Sequence, residues 1–426
     1  MTMARGGVRL ALVSLMALFG IACGSSPGKI PTCTVGGTVT GLSGTPTALV
    51  LQNNGGDDLT ITANQSFTFP SIVGRGETFQ VTVKTQPTCP SYTCTVSGGS
   101  GTALANVTSV VVDCAQNSKV TLFAANWGDT SIYATDNVGG LTSTDPVPSR
   151  KLTYASGSHD FGGFDALAID RARDLAYFSD RASNQVAVIA NASTASGDLT
   201  PARAIVLQLS SKPSGLALDP GPHDRLYVAT AYGLMIFAGA STASGSPTPT
   251  ALIPATTSFA PSALALDTKH DRLFVASYTT DEISVFDAAS TLTNSSAPSR
   301  TLALPNELPA AISVDTCSDR LYVGIGYITP PASDDGAVLI FNGAGALHGT
   351  LGTDFTPDAT ISSASAIGGL TIDDGDRLYT TLDVTPSSTV TIYEGASTLS
   401  GNVSITGKAI DGAVSSAYGL DFISHP

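Results

Sequence analysis

The chain has 426 residues and a formal net charge of −14, with 34 acidic against 20 basic side chains and only 13% of residues charged. That balance excludes non-specific binding to nucleic acid or anionic lipid, since both would repel it. The length exceeds what one ordinary core covers unless the core is spread over repeats.

At the N-terminus, Arg5 and Arg9 precede an apolar run from Leu10 to Phe19, followed by Gly20, Ile21, Ala22 and Cys23. This reads as an export signal and is short for a transmembrane helix. It resembles bacterial lipoprotein signals, in which the Cys closing the apolar run is cut, acylated and becomes the first mature residue. The resemblance implies a signal peptide over 1–22, lipidation at Cys23 and a flexible tether over 23–32. Gly24, rather than Asp, after the Cys implies lipid anchoring in the outer membrane, periplasmic or surface-facing. An ordinary secretory leader cut nearby is the alternative, with Gly20 standing where lipoprotein signals usually carry Leu.

Apart from Cys23, four of the five remaining cysteines fall in one stretch, Cys33, Cys89, Cys94 and Cys114. Such clustering fits structural disulfides in an oxidising compartment. Spacing does not determine connectivity; the expected pairs are Cys94 with Cys114 and Cys33 with Cys89, which leaves Cys317 a free thiol.

Residues 33–116 form the first predicted domain. Apolar and polar residues alternate over Thr34–Thr40, Ala48–Gln52, Leu59–Thr62, Ser66–Phe69, Phe79–Lys84, Tyr92–Ser97 and Val107–Cys114, between Gly, Asn, Asp and Pro turns. Seven short strands at this spacing predict a β-sandwich of immunoglobulin-like size. The run from Gly37 to Phe69 resembles small Ig-like modules of bacterial surface proteins. Asn53–Asp58 (NNGGDD) reads as a hairpin turn in preference to a calcium loop, because no further carboxylates follow at calcium-loop spacing.

From residue 119 one phrase recurs: Leu167–Tyr177, Leu216–Tyr227, Leu264–Phe274, Ile312–Tyr322 and Leu370–Tyr379, each an apolar run, an Asp, a turn and a second apolar run. The Asp recurs at Asp170, Asp219, Asp267, Asp315 and Asp373, at spacings of 49, 48, 48 and 58. Each period holds four strand signals, which makes it a propeller blade. The first blade lacks its leading strand, whereas Tyr418–Ile423 (YGLDFI) matches a leading strand with nothing after it. The prediction is therefore an all-β chain whose residues 119–426 form a six-bladed β-propeller closed by the C-terminal strand. A seventh blade would need its leading strand from Thr108–Cys114. The repeats resemble bacterial propellers of the YVTN, NHL and TolB-like groups, a resemblance that implies the fold and no particular activity.

Five copies of the Asp, followed in four of them by an Asp-Arg pair, read as turn chemistry rather than catalysis. Candidate binding residues come from the loops that precede each leading strand and follow each second strand: Trp127, His159, Tyr232, Tyr278, Asp281, Tyr327, Asp334 and Asp335. Aromatic rings among carboxylates suit a sugar, a peptide or a cationic group; capping of the apolar layers between blades is the alternative. The insertion 328–336 is the best single contact loop. No catalytic residue, metal ligand or cofactor is assigned. The function expected is a non-enzymatic envelope lipoprotein binding an unknown protein or glycan, with no nucleic acid and membrane contact only through the anchor. The alternative is a metal-dependent hydrolase or lyase resembling six-bladed lactonases. Against it, the repeats carry no nucleophile elbow, phosphate loop or HExxH run.

Overall fold

A computed structural model describes residues 31–42, 47–89, 91–117, 120–126, 131–141, 145–146, 148–154, 166–277, 279–326, 336–363, 365–382, 388–403, 408–414 and 417–424. Within them the chain is all-β, with strands joined by turns and short 3-10 segments. No helix among the described residues is long and apolar enough to cross a membrane. Two compact units result, one running to Gln116 without Cys89–Ser91, the other comprising Cys89–Ser91 and Asn117 onward. The leader and Cys23 lie outside the described residues.

In the first unit the seven expected strands form at Val35–Thr40, Leu49–Asn53, Asp57–Ile61, Gln65–Thr68, Thr78–Thr85, Tyr92–Ser97 and Val107–Gln116, each end within two residues of prediction. With an eighth strand, Ser100–Thr102, they build two four-stranded sheets. Because successive side chains on a strand point to opposite faces, Val35, Val39, Phe67, Val110 and Val112 of one sheet meet Leu49, Leu51, Ile61, Phe79 and Val81 of the other in a single core. Val107–Gln116 runs parallel to Val35–Thr40 and antiparallel to Tyr92–Ser97, so it belongs to this unit and supplies no seventh blade. Asn53–Asp57 closes a hairpin with Asn54 and Gly55 at φ 50 and 72, and Asp58 accepts hydrogen bonds from Gln52 and Lys84.

The disulfides differ in part from expectation. Cys94 faces Cys114 across paired strands and is bonded to it. Cys89, however, is bonded to Cys317 rather than to Cys33, so Cys317 is no free thiol. The physical reason is placement: Cys89–Ser91 packs with the second unit, where the Ser91 N–H donates to the Asp374 carbonyl at 2.8 Å. A bond across a sequence separation of 228 leaves no local trace.

The second unit is propeller-like. Its strands form six sheets of four or five, numbered here in chain order, in which the innermost strands are Leu167–Asp170, Pro213–Asp219, Ala263–Asp267, Pro309–Asp315, Ile367–Ile372 and, for the first sheet, the C-terminal Ala417–Ser424. That last strand pairs antiparallel with Val120–Asn126, with Val120 opposite Ser424. Each innermost strand packs on the next, and Ala417–Ser424 touches the innermost strands of both the sixth and the second sheets. The core is correspondingly divided into six apolar clusters, one at each seam between consecutive sheets. Leu167 and Ile169 face the first sheet while Ala168 faces the third, the period-2 alternation doing the sorting.

Outer edges are covered in a repeating way. Gly197–Leu199 of the second sheet pairs with the outer strand of the first, Gly349–Thr350 of the fifth with the fourth, Gly401–Val403 of the sixth with the fifth, and Asp145–Pro146 of the first with the sixth. Covering exposed N–H and C=O groups in this way removes sites for intermolecular strand pairing.

Candidate functional site at the central cavity

The six innermost strands enclose a cavity of about 1430 Å³. Its walls are mostly small or aliphatic, including Ala168, Leu216, Ala217, Ala265, Ile312 and Leu370. At the upper end, where the strands begin, the described charged residues lining it are Arg181 and Lys212. The lower end, where they finish, is lined by Arg171, Asp219, His223, Asp315, Asp373, Asp374 and, within the wall, Asp421.

The repeated polar groups at the lower end are engaged with one another. Asp170 accepts from the N–H groups of Ala172 and Arg173, Asp219 from Gly221, Asp267 from His270, Asp315 from Cys317, and Asp373 from Gly375 and Arg377. His223 and His270 hydrogen-bond Asp219 and Asp267 through Nδ1, as turn residues do. The second Asp of each turn adopts a left-handed conformation that Asp tolerates: Asp174, Asp224, Asp271, Asp319 and Asp376 have φ of 53, 46, 53, 53 and 62. From there Asp174, Asp224, Asp271 and Asp376 each accept two bonds of 2.7–2.9 Å from the N–H and hydroxyl of Ser193, Ser241, Ser290 and Ser397, the Ser of a recurring Ala-Ser-Thr turn.

Seams between sheets use the same turns as acceptors. The Tyr177 hydroxyl and Arg203 donate to the Ala240 carbonyl of the third sheet, Tyr227 donates to Ala289 of the fourth, and Arg320 to Ala396 and Leu399 of the sixth. Burial pushes the Tyr177, Tyr227 and Tyr322 hydroxyls up from their ordinary pKa, so all remain protonated at neutral pH. In this set the fifth sheet departs, carrying Gly345 where its sisters have Ser. Arg272 of the fourth sheet crosses instead, its Nη2 lying 2.6 Å from Asp267 and 2.6 Å from Asp319. A Cβ on residue 345 would sit 2.0 Å from Arg272 Nη1, so glycine is what admits the guanidinium.

Asp267, His270 and Asp319 are also the one group among the described residues with metal-like spacing. The guanidinium of Arg272 already neutralises both carboxylates, from the position a cation would take.

One carboxylate breaks the repeat. Asp421 stands where the other innermost strands place Ala168, Ala217, Ala265, Ser313 and Thr371. It accepts the Ile169 N–H at 2.8 Å and the Phe422 N–H at 2.8 Å, joining the C-terminal strand to the second sheet. Burial raises its pKa above the usual carboxylate range, an effect that Arg171, 3.8 Å away, opposes. Arg171 also donates to the Phe422 carbonyl, packs 3.7 Å from the centre of the Phe422 ring and pairs with Asp374. Sequence reasoning passed over Asp421; the signal was its position one residue after the strand's Leu, where the sisters' Asp comes three after.

Of the binding residues expected from sequence, Trp127, His159, Tyr278, Tyr327, Asp334 and Asp335 lie outside the described residues, as does most of the 328–336 loop. Tyr232 is 49% exposed in the turn after the third sheet's second strand. Asp281 is half-buried in the corresponding turn of the fourth sheet, with φ 52. Burial, with the Asp281 charge as a second cause, pushes the Glu307 carboxyl up from its ordinary value.

No family profile matches the chain, and no curated protein is measurably similar to it in sequence. Among solved structures it is similar to a chain of a nidogen/laminin complex, at 14% identity and a TM-score of 0.45, over 71% of this chain and 98% of that one. A protein of unknown function from Bacteroides caccae matches at 11% identity and a TM-score of 0.46, over 72% and 100%. Likeness of this degree carries no functional information.

Proposed function

We propose that the chain is a non-enzymatic lipoprotein of the cell envelope, anchored through Cys23 in the outer membrane, with an Ig-like sandwich followed by a six-bladed propeller that binds a protein or glycan. The pairing of Val120–Asn126 with Ala417–Ser424, repeated on the outer edge by Asp145–Pro146 against Lys408–Val414, supports a ring closed by the chain's own tail. The observation that carries the binding reading is the split between two kinds of polar residue. Those that recur are spent on turns and seams, whereas Arg181 and Lys212, which line the upper end of the cavity, belong to no repeated set. Singular residues at the mouth of a preformed cavity are where a ligand is recognised.

A metal-dependent hydrolase or lyase would need acidic ligands free in the channel. Among the described residues Asp373 is held by Arg377 and Tyr379, and Asp421 by two backbone N–H groups. Nothing described favours that reading over binding. Three measurements test the proposal. Cys23→Ser releases the protein from membranes. Calcium or manganese leaves the melting temperature of the mature chain unchanged. On a glycan array or against isolated envelope proteins, Trp127→Ala/Tyr232→Ala/Tyr278→Ala loses the ligand that the parent retains; equal retention would refute the aromatic face.

A further inference from the structure

Two disulfides join described residues, and their surroundings are opposite. Cys94 and Cys114 are 3% and 4% exposed, they face each other across paired strands, and the Gln86 side chain bonds both the N–H and the carbonyl of Cys94. A reductant reaches that bond only after the strand pair opens. Cys89 and Cys317 are each part-exposed, and each lies in a turn. Their sulfurs can be met from solvent with the fold intact.

What the accessible bond fastens lies at the lower end of the cavity. Cys317 lines that end, as do Asp373 and Asp374 of the sixth sheet. Two residues beyond Cys89, the Ser91 N–H donates to the Asp374 carbonyl at 2.8 Å, and the Ser91 carbonyl and hydroxyl accept from the Asn117 N–H and Nδ2, both at 2.9 Å. Arg377, which holds Asp373, reaches the Asn117 carbonyl at 3.4 Å. Cys89 and Ser91 thus tie the fifth sheet to the sixth beside the cavity, through one covalent bond and a few hydrogen bonds. Hydrogen bonds open to exchange with water hold such a segment weakly once the covalent bond is gone.

We propose that Cys89–Cys317 is a redox-sensitive fastening: a dithiol reductant opens it in the folded chain while Cys94–Cys114 stays closed, which frees Ser91 from the sixth sheet and leaves Cys317 as a thiol on the cavity wall. One thiolate of the reductant attacks a sulfur of the bond and displaces the other as thiolate; the second thiol then closes the reductant's own disulfide. Two electrons and two protons pass to Cys89 and Cys317. The lower end of the cavity therefore carries a modifiable thiol in the reduced state alone, whatever ligand the propeller takes.

The test is treatment of the full mature chain with dithiothreitol in the absence of denaturant, trapping with iodoacetamide and mapping of the labels by mass spectrometry. Cys89 and Cys317 label at least about tenfold faster than Cys94 and Cys114. Hydrogen exchange on the reduced chain shows protection lost at the Ser91 and Asn117 N–H groups and kept in the innermost strands of the second unit, and oxidised glutathione restores it. The melting temperature falls on reduction, because the bond spans a sequence separation of 228 against 20 for Cys94–Cys114 and so restricts the unfolded chain more. Cys89→Ser/Cys317→Ser matches the reduced chain with or without dithiothreitol; reversal by oxidised glutathione needs no variant and decides the matter if that one fails to fold. The inference is overturned if Cys94 and Cys114 label as fast, if Cys89 and Cys317 label only once the second unit has unfolded, or if reduction leaves Ser91 and Asn117 as protected as before.

Discussion

The seam between the second and third sheets and the seam between the fourth and fifth solve one problem with different atoms. At the first, Asp224 is satisfied by Ser241, and the Tyr177 hydroxyl with Arg203 holds the facing turn. At the second, Phe274 replaces the tyrosine and Gly345 the serine, and Arg272 bridges Asp267 and Asp319. A turn with a buried carboxylate demands donors and compensating charge, whichever residue supplies them. Repetition in this unit is therefore repetition of hydrogen-bond satisfaction, with side chains free to be exchanged in compensating sets.

The closing seam gives the largest effect against which the other two are scaled. Deleting 418–426 removes Leu420, Phe422 and Ile423 from the clusters flanking the first sheet and bares the Val120–Asn126 edge. Each such side chain is worth about 3–5 kcal/mol, so the truncated chain should lose the second unit's cooperative melting transition in calorimetry. Melting like the parent would disprove closure by the tail.

Next in size, Arg272→Ala leaves Asp267, which is fully buried, without its cation. Stripping one partner from a buried pair costs about 3–5 kcal/mol. A shift of the urea midpoint worth less than about 1 kcal/mol would mean that the bridge is ornamental. Gly345→Ser sharpens the comparison, because it restores the sisters' serine and yet should destabilise by about 1–3 kcal/mol through its clash with Arg272. In an Arg272→Leu background the same change should cost less, a coupling that a double-mutant cycle reads directly.

The smallest effect concerns pH at Asp421. Burial raises its pKa in the folded chain, so its contribution to stability is complete below the ordinary carboxylate value and is lost as pH rises through the raised one. The melting-temperature gap between the parent and Asp421→Asn should widen on going from pH 7 to pH 4. A gap that narrows contradicts the sign.

Strand positions were legible in sequence because alternation and turn residues are local signals, and the seven strands expected in the first unit came out within two residues, while the two- and three-residue strands Thr32–Cys33, Val73–Gly74 and Ser100–Thr102 were too short to leave a pattern. The tail's pairing was legible too, since an unpaired leading-strand pattern at the C-terminus matched a gap at the start. What sequence could not deliver was every feature that depends on non-local distance. The Cys89–Cys317 bond joins segments with no shared pattern. Arg272 reaching Asp319 depends on a glycine in the next repeat. For the site, Tyr232 was identifiable as a loop residue, but nothing in the letters gives its 49% exposure.

Val120 and Ser424 face each other at one end of an antiparallel pair. Traction applied between those points would load the rungs singly, opening the pair like a zip, whereas traction along the strands would strain all rungs at once. The pair should therefore open at lower force when the second unit is drawn between these two points than when it is drawn along the strands.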